Sequence, residues 1–361
     1  MAPGKILVVG ASGYFGRRLV EGLLARTQAV LILGSRSLDK AEALRRSFGP
    51  SAAGRLSAAE ADLDRRETLA AAVGQAAVAV CAAGPFQSLP VSLAEACLEK
   101  GVHYIDLADD RGFVMKVRRL AEGAKSPVAV CSGWSAVPAL SAALAGVACA
   151  GLRKVDSIRV QLAPGNRSPR SSATVASLLS STGRSFTVWR GGAWREVRGW
   201  SEPRSFDFPP PVGRRQGYLL DVADHELFPP LFAAGTVEFR VGAELAPLNA
   251  AVSVLAALPV AWTWAAPVLS AALAPLGFLG SDTGSVGVEV EGDGLLRRVC
   301  VVADQDGPAI AVMPAVLMAA RLAASPAPAG LMPLDGWLDR AALERACRDF
   351  GFRFVFEERH A

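Results

Sequence analysis

A short apolar segment followed directly by three glycines constrains the fold of this chain more than any other feature. Ile6–Val9 is apolar and rich in β-branched residues, as is typical of a central strand in a parallel sheet that is covered on both faces. Gly10, Gly13 and Gly16 follow at three-residue intervals, ahead of a segment with apolar residues at helical spacing. The pattern predicts a strand, a tight turn and a helix, which together begin a βαβ unit.

Each glycine of this turn has its own expected role. Gly10 lets the chain turn sharply off the strand, Gly13 lets the backbone approach a pyrophosphate, and Gly16 lets the helix pack closely on the sheet. The free N–H groups at the helix N-terminus favour phosphate, because the helix dipole is positive there. A tight turn without a ligand is the alternative. The residues expected to contact a dinucleotide are Gly10, Ser12, Gly13, Tyr14, Phe15 and Gly16.

Strand and helix patterns alternate over roughly the first 130 residues, at the spacing of βαβ units. The sequence therefore predicts an α/β protein with an N-terminal Rossmann domain, which is a doubly wound parallel sheet. After Trp134, hairpin signals at Gly191-Gly192 and at Gly292-Asp293-Gly294 indicate a second α+β domain built on a largely antiparallel sheet. The expected boundaries are 1–133 for the Rossmann domain, 134–325 for the second domain and 326–361 for a C-terminal segment that could return to the first.

The end of the second strand distinguishes between two cofactors. NAD-binding domains usually place Asp or Glu about 20 residues after the glycine turn, where it binds the ribose 2′-OH. This chain has Ser35, Arg36 and Ser37 there, and a guanidinium with two hydroxyls suits a 2′-phosphate. The sequence therefore predicts NADP(H) as the cofactor. The alternative is that Arg36 is only a solvated cation. Asp62 either accepts a hydrogen bond from the adenine amino group or caps the next helix.

Composition and spacing exclude several classes of protein. The net charge of +4 comes from scattered Arg pairs without a basic cluster, so no nucleic-acid partner is expected. The six cysteines lack CxxC spacing, which argues against a disulfide framework and against a metal site. Because no signal peptide is recognised either, we expect a cytoplasmic protein.

Several segments together resemble the saccharopine dehydrogenase-like (saccharopine reductase-like) oxidoreductases. They are the glycine turn and residues 81–86, 102–107, 132–138, 236–240 and 304–307. The resemblance implies an NADP-binding oxidoreductase in which the loop of Ala83, Gly84, Pro85 and Phe86 lies by the nicotinamide, with Asp106 nearby. One departure is that Ala108-Asp109-Asp110 stands where the family often has Gly-Glu, so a substrate contact through that glutamate is not carried over.

Hydride transfer to an imine or carbonyl also requires a proton donor. The Tyr-x-x-x-Lys arrangement of short-chain dehydrogenases is absent, since Arg18, Ala108 and Val222 follow the three tyrosines at that spacing. Asp106 and Asp110 are the catalytic candidates, because a partly buried carboxylic acid can protonate an amine nitrogen or hold an ammonium group. Asp106 could equally cap the following turn.

Other candidates are weaker. His103 begins a strand and is expected to point away from the site, and His225 lies in an acidic segment typical of the surface. Three arginines in a Ser-rich stretch could clamp a substrate carboxylate or simply face solvent. They are Arg167, Arg170 and Arg184.

Residues 245–281 contain no charged side chain but include Trp262 and Trp264. Four prolines interrupt the segment, so a membrane span is weakly supported. A buried core or dimer interface and peripheral docking on a membrane are the other interpretations.

The sequence as a whole predicts a cytoplasmic, homodimeric, NADP(H)-dependent oxidoreductase that transfers hydride at a C–N bond of a small molecule. The alternative is a non-catalytic NADP-binding protein that docks on a membrane or a partner through residues 245–281.

Overall fold

The computed structural model describes residues 4–124, 127–167, 172–258, 262–325 and 328–360. The chain divides into two compact units, and each unit is made of two separate stretches of sequence. The N-terminal unit comprises Met1–Ser135 and Ala311–Met332, and the second unit comprises Ala136–Ile310 and Pro333–Ala361.

The strands are β1 (Ile6–Val9), β2 (Leu31–Ser35), β3 (Leu56–Glu60), β4 (Val78–Cys81), β5 (His103–Asp106), β6 (Ala129–Cys131), β7 (Ser157–Pro164), β8 (Ser185–Arg190), β9 (Ala193–Arg198), β10 (Arg204–Asp207), β11 (Arg214–Leu219), β12 (Val237–Val241), β13 (Gly284–Gly292), β14 (Leu295–Ala303), β15 (Gly330–Leu331) and β16 (Arg353–His360). The helices are α1 (Tyr14–Arg26), α2 (Leu38–Ser47), α3 (Pro50–Ala53), α4 (Arg66–Val73), α5 (Ser92–Lys100), α6 (Arg111–Gly123), α7 (Ser141–Cys149), α8 (Ser172–Ser181), α9 (Asp224–Phe232), α10 (Ala246–Ala257), α11 (Ala266–Leu273), α12 (Ala309–Ala324) and α13 (Arg340–Asp349).

The N-terminal unit is built on a parallel sheet in the strand order β15-β6-β5-β4-β1-β2-β3. The central strand β1 is fully buried and pairs in register with β2 and β4, so that Val9 lies beside both Gly34 and Cys81. The strand order reverses between β1 and β4, which is where open α/β sheets bind ligands. The predicted doubly wound sheet is confirmed.

Helix α12 completes this unit from a distant part of the sequence. A Cβ on Gly22 would lie 2.8 Å from a methyl group of Val316, so the absence of a side chain lets α12 approach α1 closely. Val316 is completely buried at this contact. The glycine in the middle of α1 therefore serves helix packing.

The unit boundaries differ from the predicted ones in the C-terminal third of the chain. The segment Ala311–Met332, most of which was expected in the second domain, belongs to the N-terminal unit. The C-terminal segment 326–361, which could return to the first domain, does so only in part. Its Gly330–Leu331 forms β15 and pairs with β6 in the first sheet, whereas Pro333–Ala361 belongs to the second unit, where β16 pairs with β14. Both differences arise from packing between distant segments, which local sequence patterns do not contain.

The second unit is built on a mixed sheet in the order β10-β11-β12-β7-β13-β14-β16, with the β8–β9 hairpin attached to β12. Only β12 and β7 run parallel among the neighbouring pairs of this order, so the predicted largely antiparallel sheet is confirmed. Asp293 and Gly294 both have positive φ at the β13–β14 turn, as the Asp-Gly hairpin signal predicted.

The two faces of the second sheet have opposite chemistry. One face carries buried valines such as Val160, Val288 and Val299, and α7 packs near it against β13 and β14. The other face carries a row of alternating charges at one level of the sheet, formed by Glu238, Arg159, Glu289, Arg298 and Glu357 on five adjacent strands. We call these five residues the charge row.

Several helices were not identified from the sequence, among them α6 and α8. Helix α8 is Ser-rich and lies in a stretch that has the composition of a loop. In the described part of the chain, no helix is long and apolar enough to cross a bilayer.

Candidate functional site

The glycine turn has the geometry that the spacing predicted. Gly10 adopts a φ of +81°, and a Cβ there would come within 2.6 Å of the Ala83 nitrogen. A Cβ on Gly16 would overlap the carbonyl oxygen of Gly10, so the helix could not begin so close to β1. Gly10 and Gly16 are therefore required by close packing at the switch point.

The tip of the turn is open to ligand. Ser12 and Gly13 are exposed, and Gly13 is the N-cap of α1 without any side-chain cap bond. The first turn of α1 contains no acidic residue, so nothing opposes an anion at the positive end of the helix dipole. Tyr14 and Phe15 contact each other edge to face at 5.1 Å, and both are half-buried. The geometry suits a pyrophosphate over Ser12 and Gly13.

A residue that the sequence analysis did not select also lies at this turn. The Arg18 guanidinium stacks 4.1 Å from the centre of the Tyr14 ring and donates to the Tyr14 carbonyl oxygen at 3.3 Å. This contact places a positive charge one helical turn behind the tip of the glycine turn. The i, i+4 spacing of Tyr14 and Arg18 on α1 is the sequence pattern that could have indicated this contact.

The loop after β2 leaves one cation unpaired. Arg36 is exposed and makes no hydrogen bond or ion pair with any described residue. Ser35 is buried and its hydroxyl oxygen accepts from the Ser37 N–H at 3.4 Å, whereas the Ser37 hydroxyl oxygen caps α2 by accepting from the Lys40 N–H. Both serines hold the loop in shape, and Arg36 is left available for an anion such as a 2′-phosphate.

Asp62 does not cap a helix. Its Oδ1 accepts from the Asp64 N–H at 3.1 Å, whereas the N-cap of α4 is Arg65. The carboxylate shapes the turn after β3 and is half-buried at the same edge of the sheet. Its predicted contact with adenine stays a prediction.

The loop after β4 is anchored by an aromatic contact. The Phe86 ring packs edge to face against Phe113 of α6, with 5.0 Å between ring centres. Gly84 is exposed at the tip of the loop, and Ala83 and Pro85 are half-buried. Since β4 lies next to β1, these residues and the glycine turn share one edge of the sheet.

Asp106 ends β5 and is completely buried. Its Oδ1 accepts from the N–H groups of Ala108 at 2.9 Å and of Gly133 at 2.7 Å. Its carbonyl oxygen also accepts from the Trp134 N–H at 2.8 Å. The carboxyl therefore joins the end of β5 to the loop after β6, which corresponds to the turn-capping alternative.

Burial raises the pKa of Asp106, an effect that the hydrogen bonds from the Gly133 and Ala108 amides only partly oppose. Its Oδ2 and the Ser132 hydroxyl are buried without a hydrogen-bond partner among the described residues. The neutral acid is thus favoured inside the N-terminal unit, and it has no exposed atom with which to touch a substrate.

Asp110 is the accessible member of the predicted catalytic pair. It is half-buried, and its Oδ1 caps α6 by accepting from the Phe113 N–H at 2.7 Å. No hydrogen bond of its Oδ2 occurs among the described residues. One oxygen therefore fixes the side chain, and the other can face a ligand.

The two histidines occupy structural positions. The His103 Nδ1 accepts from the Ala129 N–H at 2.9 Å, and burial lowers the pKa of the ring. His225 was expected at the surface but is completely buried, with Nε2 3.1 Å from the Leu220 carbonyl oxygen. Its burial depends on β12 and on the segment after β11, which the neighbouring acidic residues do not reveal.

Two of the three candidate arginine clamps lie among the described residues. Arg167 and Arg184 are exposed, and Arg170 lies outside the described residues. Their predicted role in binding a carboxylate stays a prediction.

Comparison with known proteins supports the same assignment of the N-terminal unit. The model of a family described as the saccharopine dehydrogenase NADP binding domain matches residues 6–130. The trans-acting enoyl reductase of Mycobacterium leprae (strain TN) is 28% identical over 147 residues, which are 38% of this chain and 35% of that protein. The chain thus spans about a third of the length of this curated relative.

A solved structure resembles the whole chain. Apo histidine-tagged saccharopine dehydrogenase (L-Glu forming) from Saccharomyces cerevisiae superposes with a TM-score of 0.67 at 12% identity. The match covers 99% of this chain and 100% of that chain. At this identity the likeness shows a shared fold.

Proposed function

We propose that this chain, whose residues 6–130 match the model of the saccharopine dehydrogenase NADP binding domain, is an oxidoreductase that transfers hydride at a C–N bond of a small molecule. NADP(H) is the cofactor of this domain family. The observation that carries the proposal is the unpaired Arg36 at the sheet edge that also presents the open glycine turn.

The residues around the switch point fit the cofactor. Ser12 and Gly13 would hold the pyrophosphate at the N-terminus of α1, and Arg36 would hold the 2′-phosphate. The Gly84 loop, anchored by Phe86, would limit the position of the nicotinamide. When bound, NADPH supplies a hydride to an electrophilic carbon, and binding at a fixed geometry accounts for much of the rate.

Reduction of an imine also adds one proton to the nitrogen. Asp110 is our candidate for that proton, or for binding the resulting ammonium group, because it is accessible and one of its oxygens is not engaged by the protein. Asp106 is a positioning residue, since it holds the loops after β5 and β6 together from a buried site.

A calorimetric titration with NADPH and NADH in parallel tests the cofactor site. We expect tight NADPH binding and weaker NADH binding. Because it removes the guanidinium and adds a repelling carboxylate, Arg36→Asp should weaken NADPH binding at least about tenfold and leave NADH binding nearly unchanged.

Arg46→Asp is the matched control, since Arg46 is an exposed arginine near the far end of α2. Equal NADPH affinity in the Arg36 variant and the wild type would disprove the role of Arg36. If NADPH binds but neither imines nor mixtures of keto acids with amines oxidise it, the non-catalytic alternative is favoured.

We further propose a cytoplasmic homodimer. The six cysteines are free, and most of them are buried, which suits a reducing compartment. In the described sheet, β16 is a terminal strand, so one of its edges is open for pairing with a second copy.

A further inference from the structure

The exposed large apolar side chains of this protein are concentrated in one segment. Eight such residues are exposed in the described part of the chain, and only Leu38 and Trp194 lie outside residues 245–281. The six within the segment are Val254, Leu258, Trp264, Val268, Phe278 and Leu279. Isolated exposed apolar residues are ordinary, whereas a concentration of this kind marks an interaction surface.

The segment is held to the second unit by its inner side. Ala266 of α11 is buried against Val175 and Leu179 of α8. The Trp262 indole N–H donates to the Leu255 carbonyl oxygen at 2.9 Å, which ties the turn before α11 to α10. The exposed residues are therefore on the outer side of a packed substructure.

The outer residues lie on and beside α10 and α11. Val254 lies on α10 and Leu258 follows its last residue, whereas Trp264 lies in a short 3-10 helix just before α11 and Val268 lies on α11. The side chains of Trp264 and Val268 are 69% and 67% exposed. Such exposure is large for a tryptophan, which has an apolar ring and a polar N–H and suits a boundary between water and lipid.

The charges in and around this segment favour a lipid surface over a second protein as its binding partner. Residues 245–281 contain no charged side chain, so nothing in them opposes entry into an apolar layer. Arg198 and Arg184 lie beside this segment: the Arg198 Nε donates to the Gly183 carbonyl oxygen at 2.8 Å, and Gly183 approaches the backbone of Ala256. Both arginines are exposed, and neither makes an ion pair with a described residue.

We propose that the exposed apolar residues within 245–258 and 262–281 dock this protein on an anionic lipid membrane. Trp264 and Val268 enter the interface between headgroups and acyl chains, and Arg184 and Arg198 contact lipid phosphates. The docking is peripheral, in keeping with the finding that no described helix is long and apolar enough to cross a bilayer. The uncharged apolar surface can be buried among the lipids, and the neighbouring arginines, which form no ion pair with a described residue, can attract anionic headgroups.

Vesicle flotation tests the proposal. The purified full chain is mixed with vesicles of phosphatidylcholine alone, or of phosphatidylcholine with phosphatidylglycerol, and its partition is measured. We expect binding to the anionic vesicles, and the double variant Trp264→Ser, Val268→Ser should bind at least about tenfold more weakly because it removes two apolar side chains. Trp194→Ser is the matched control at an exposed tryptophan of β9 and should bind like the wild type.

A second pair of variants tests the charge. Arg184→Glu should weaken binding to anionic vesicles at least about tenfold, because the change removes a positive charge near the lipid surface and puts a negative charge in its place. Arg345→Glu, at an exposed position on α13, should leave binding unchanged.

The proposal fails if the wild type does not float with either kind of vesicle, or if the double variant floats as well as the wild type. A monomer–dimer equilibrium that the double variant abolishes, without vesicle binding, would assign the surface to a second copy. NADPH affinity is measured on every variant, because its loss would report on the cofactor site and not on docking.

Discussion

Asp106 shows how one buried carboxyl can organise the edge of a sheet. Two backbone amides from different loops share its Oδ1, so the loop after β5 and the loop after β6 keep a fixed separation. Residues that line a cofactor cleft must be held within a fraction of an ångström, and a buried double acceptor achieves this without exposing a charge. The residue is therefore a support for the site.

The substitution Asp106→Asn separates the hydrogen-bonding role of this carboxyl from its ionisation. The amide oxygen keeps both backbone bonds, and the amide N–H can donate to the Ser132 hydroxyl, which has no partner among the described residues. Because burial raises the pKa of Asp106 above its usual 3.8, the unfolded chain loses this proton first and the folded wild type loses stability as pH rises.

We expect the stability of the Asn variant to exceed that of the wild type increasingly from about pH 4 towards neutrality. Denaturant midpoints at four pH values measure this difference, with Asp64→Asn as an exposed control. A difference that does not change with pH would contradict the assignment of a buried, neutral carboxyl.

For single residues, the sequence predicts the roles that depend only on neighbouring positions in the chain. The roles of Gly10 and Gly16 follow from their position after β1, and the structure confirms the close approaches that they allow. The burial of His225 could not be predicted, because its ring nitrogens face carbonyl oxygens of Leu220 and Val237, which only the tertiary fold brings there.

In the second sheet, the buried carboxylate of Glu238 depends on its ion pairs with arginines. Glu238 contacts Arg240 and Arg190, each at 2.6 Å, in a largely buried position. Burial alone would raise the pKa of Glu238, but these two arginines outweigh it and lower the pKa. The stability contributed by this carboxylate is therefore present above its unfolded pKa and is lost as pH falls through the lower, folded value.

The variant Glu238→Gln leaves Arg240 buried without its anionic partner. We expect a loss of about 3 kcal/mol in the free energy of unfolding at neutral pH. The loss should shrink as pH falls below the ordinary glutamate value of 4.5 and through the lower, folded pKa of Glu238. Chemical unfolding followed by circular dichroism measures both values. Glu99→Gln removes an exposed partner of Arg66 and should change stability by less than about 1 kcal/mol. Equal losses in the two variants would contradict the importance of burial.

Some strands and helices can be predicted from the sequence and others cannot. The hairpin of β13 and β14 was predictable because Asp293 and Gly294 adopt the positive φ that such a turn requires. Helix α8 was not, because its serines favour loops in isolation, and its packing against α11 is what stabilises it. The charge row was equally hidden, since its members come from five strands scattered along the sequence.

For the whole molecule, the open edge of β16 determines how two copies could meet. An antiparallel pairing centred on Val355 would set Arg353 of each copy opposite Glu357 of the other, and Phe354 opposite Phe356. The strand is self-complementary in this register. We therefore expect a homodimer with a continuous sheet.

Sedimentation equilibrium tests this arrangement. Glu357→Arg should weaken the dimer at least about tenfold, because two arginines would then face each other twice across the interface. Glu357→Arg combined with Arg353→Glu should restore it. A wild type that is monomeric at every concentration, or a double variant weaker than the single one, would contradict pairing through β16.

The division of the molecule was the least predictable feature. The membership of α12 in the N-terminal unit follows from its contact with Gly22, which is almost 300 positions away in sequence. The chain consequently passes three times between the units.

This interleaving has a consequence for biosynthesis. On the ribosome, residues 1–135 emerge first, but α1 stays uncovered by Val316, and the parallel sheet lacks β15, until Met332 has been translated. Most of the second unit is made in that interval. The nucleotide-binding half thus begins first yet is completed late, and a nascent chain that stalls before Met332 presents an unfinished apolar surface to chaperones.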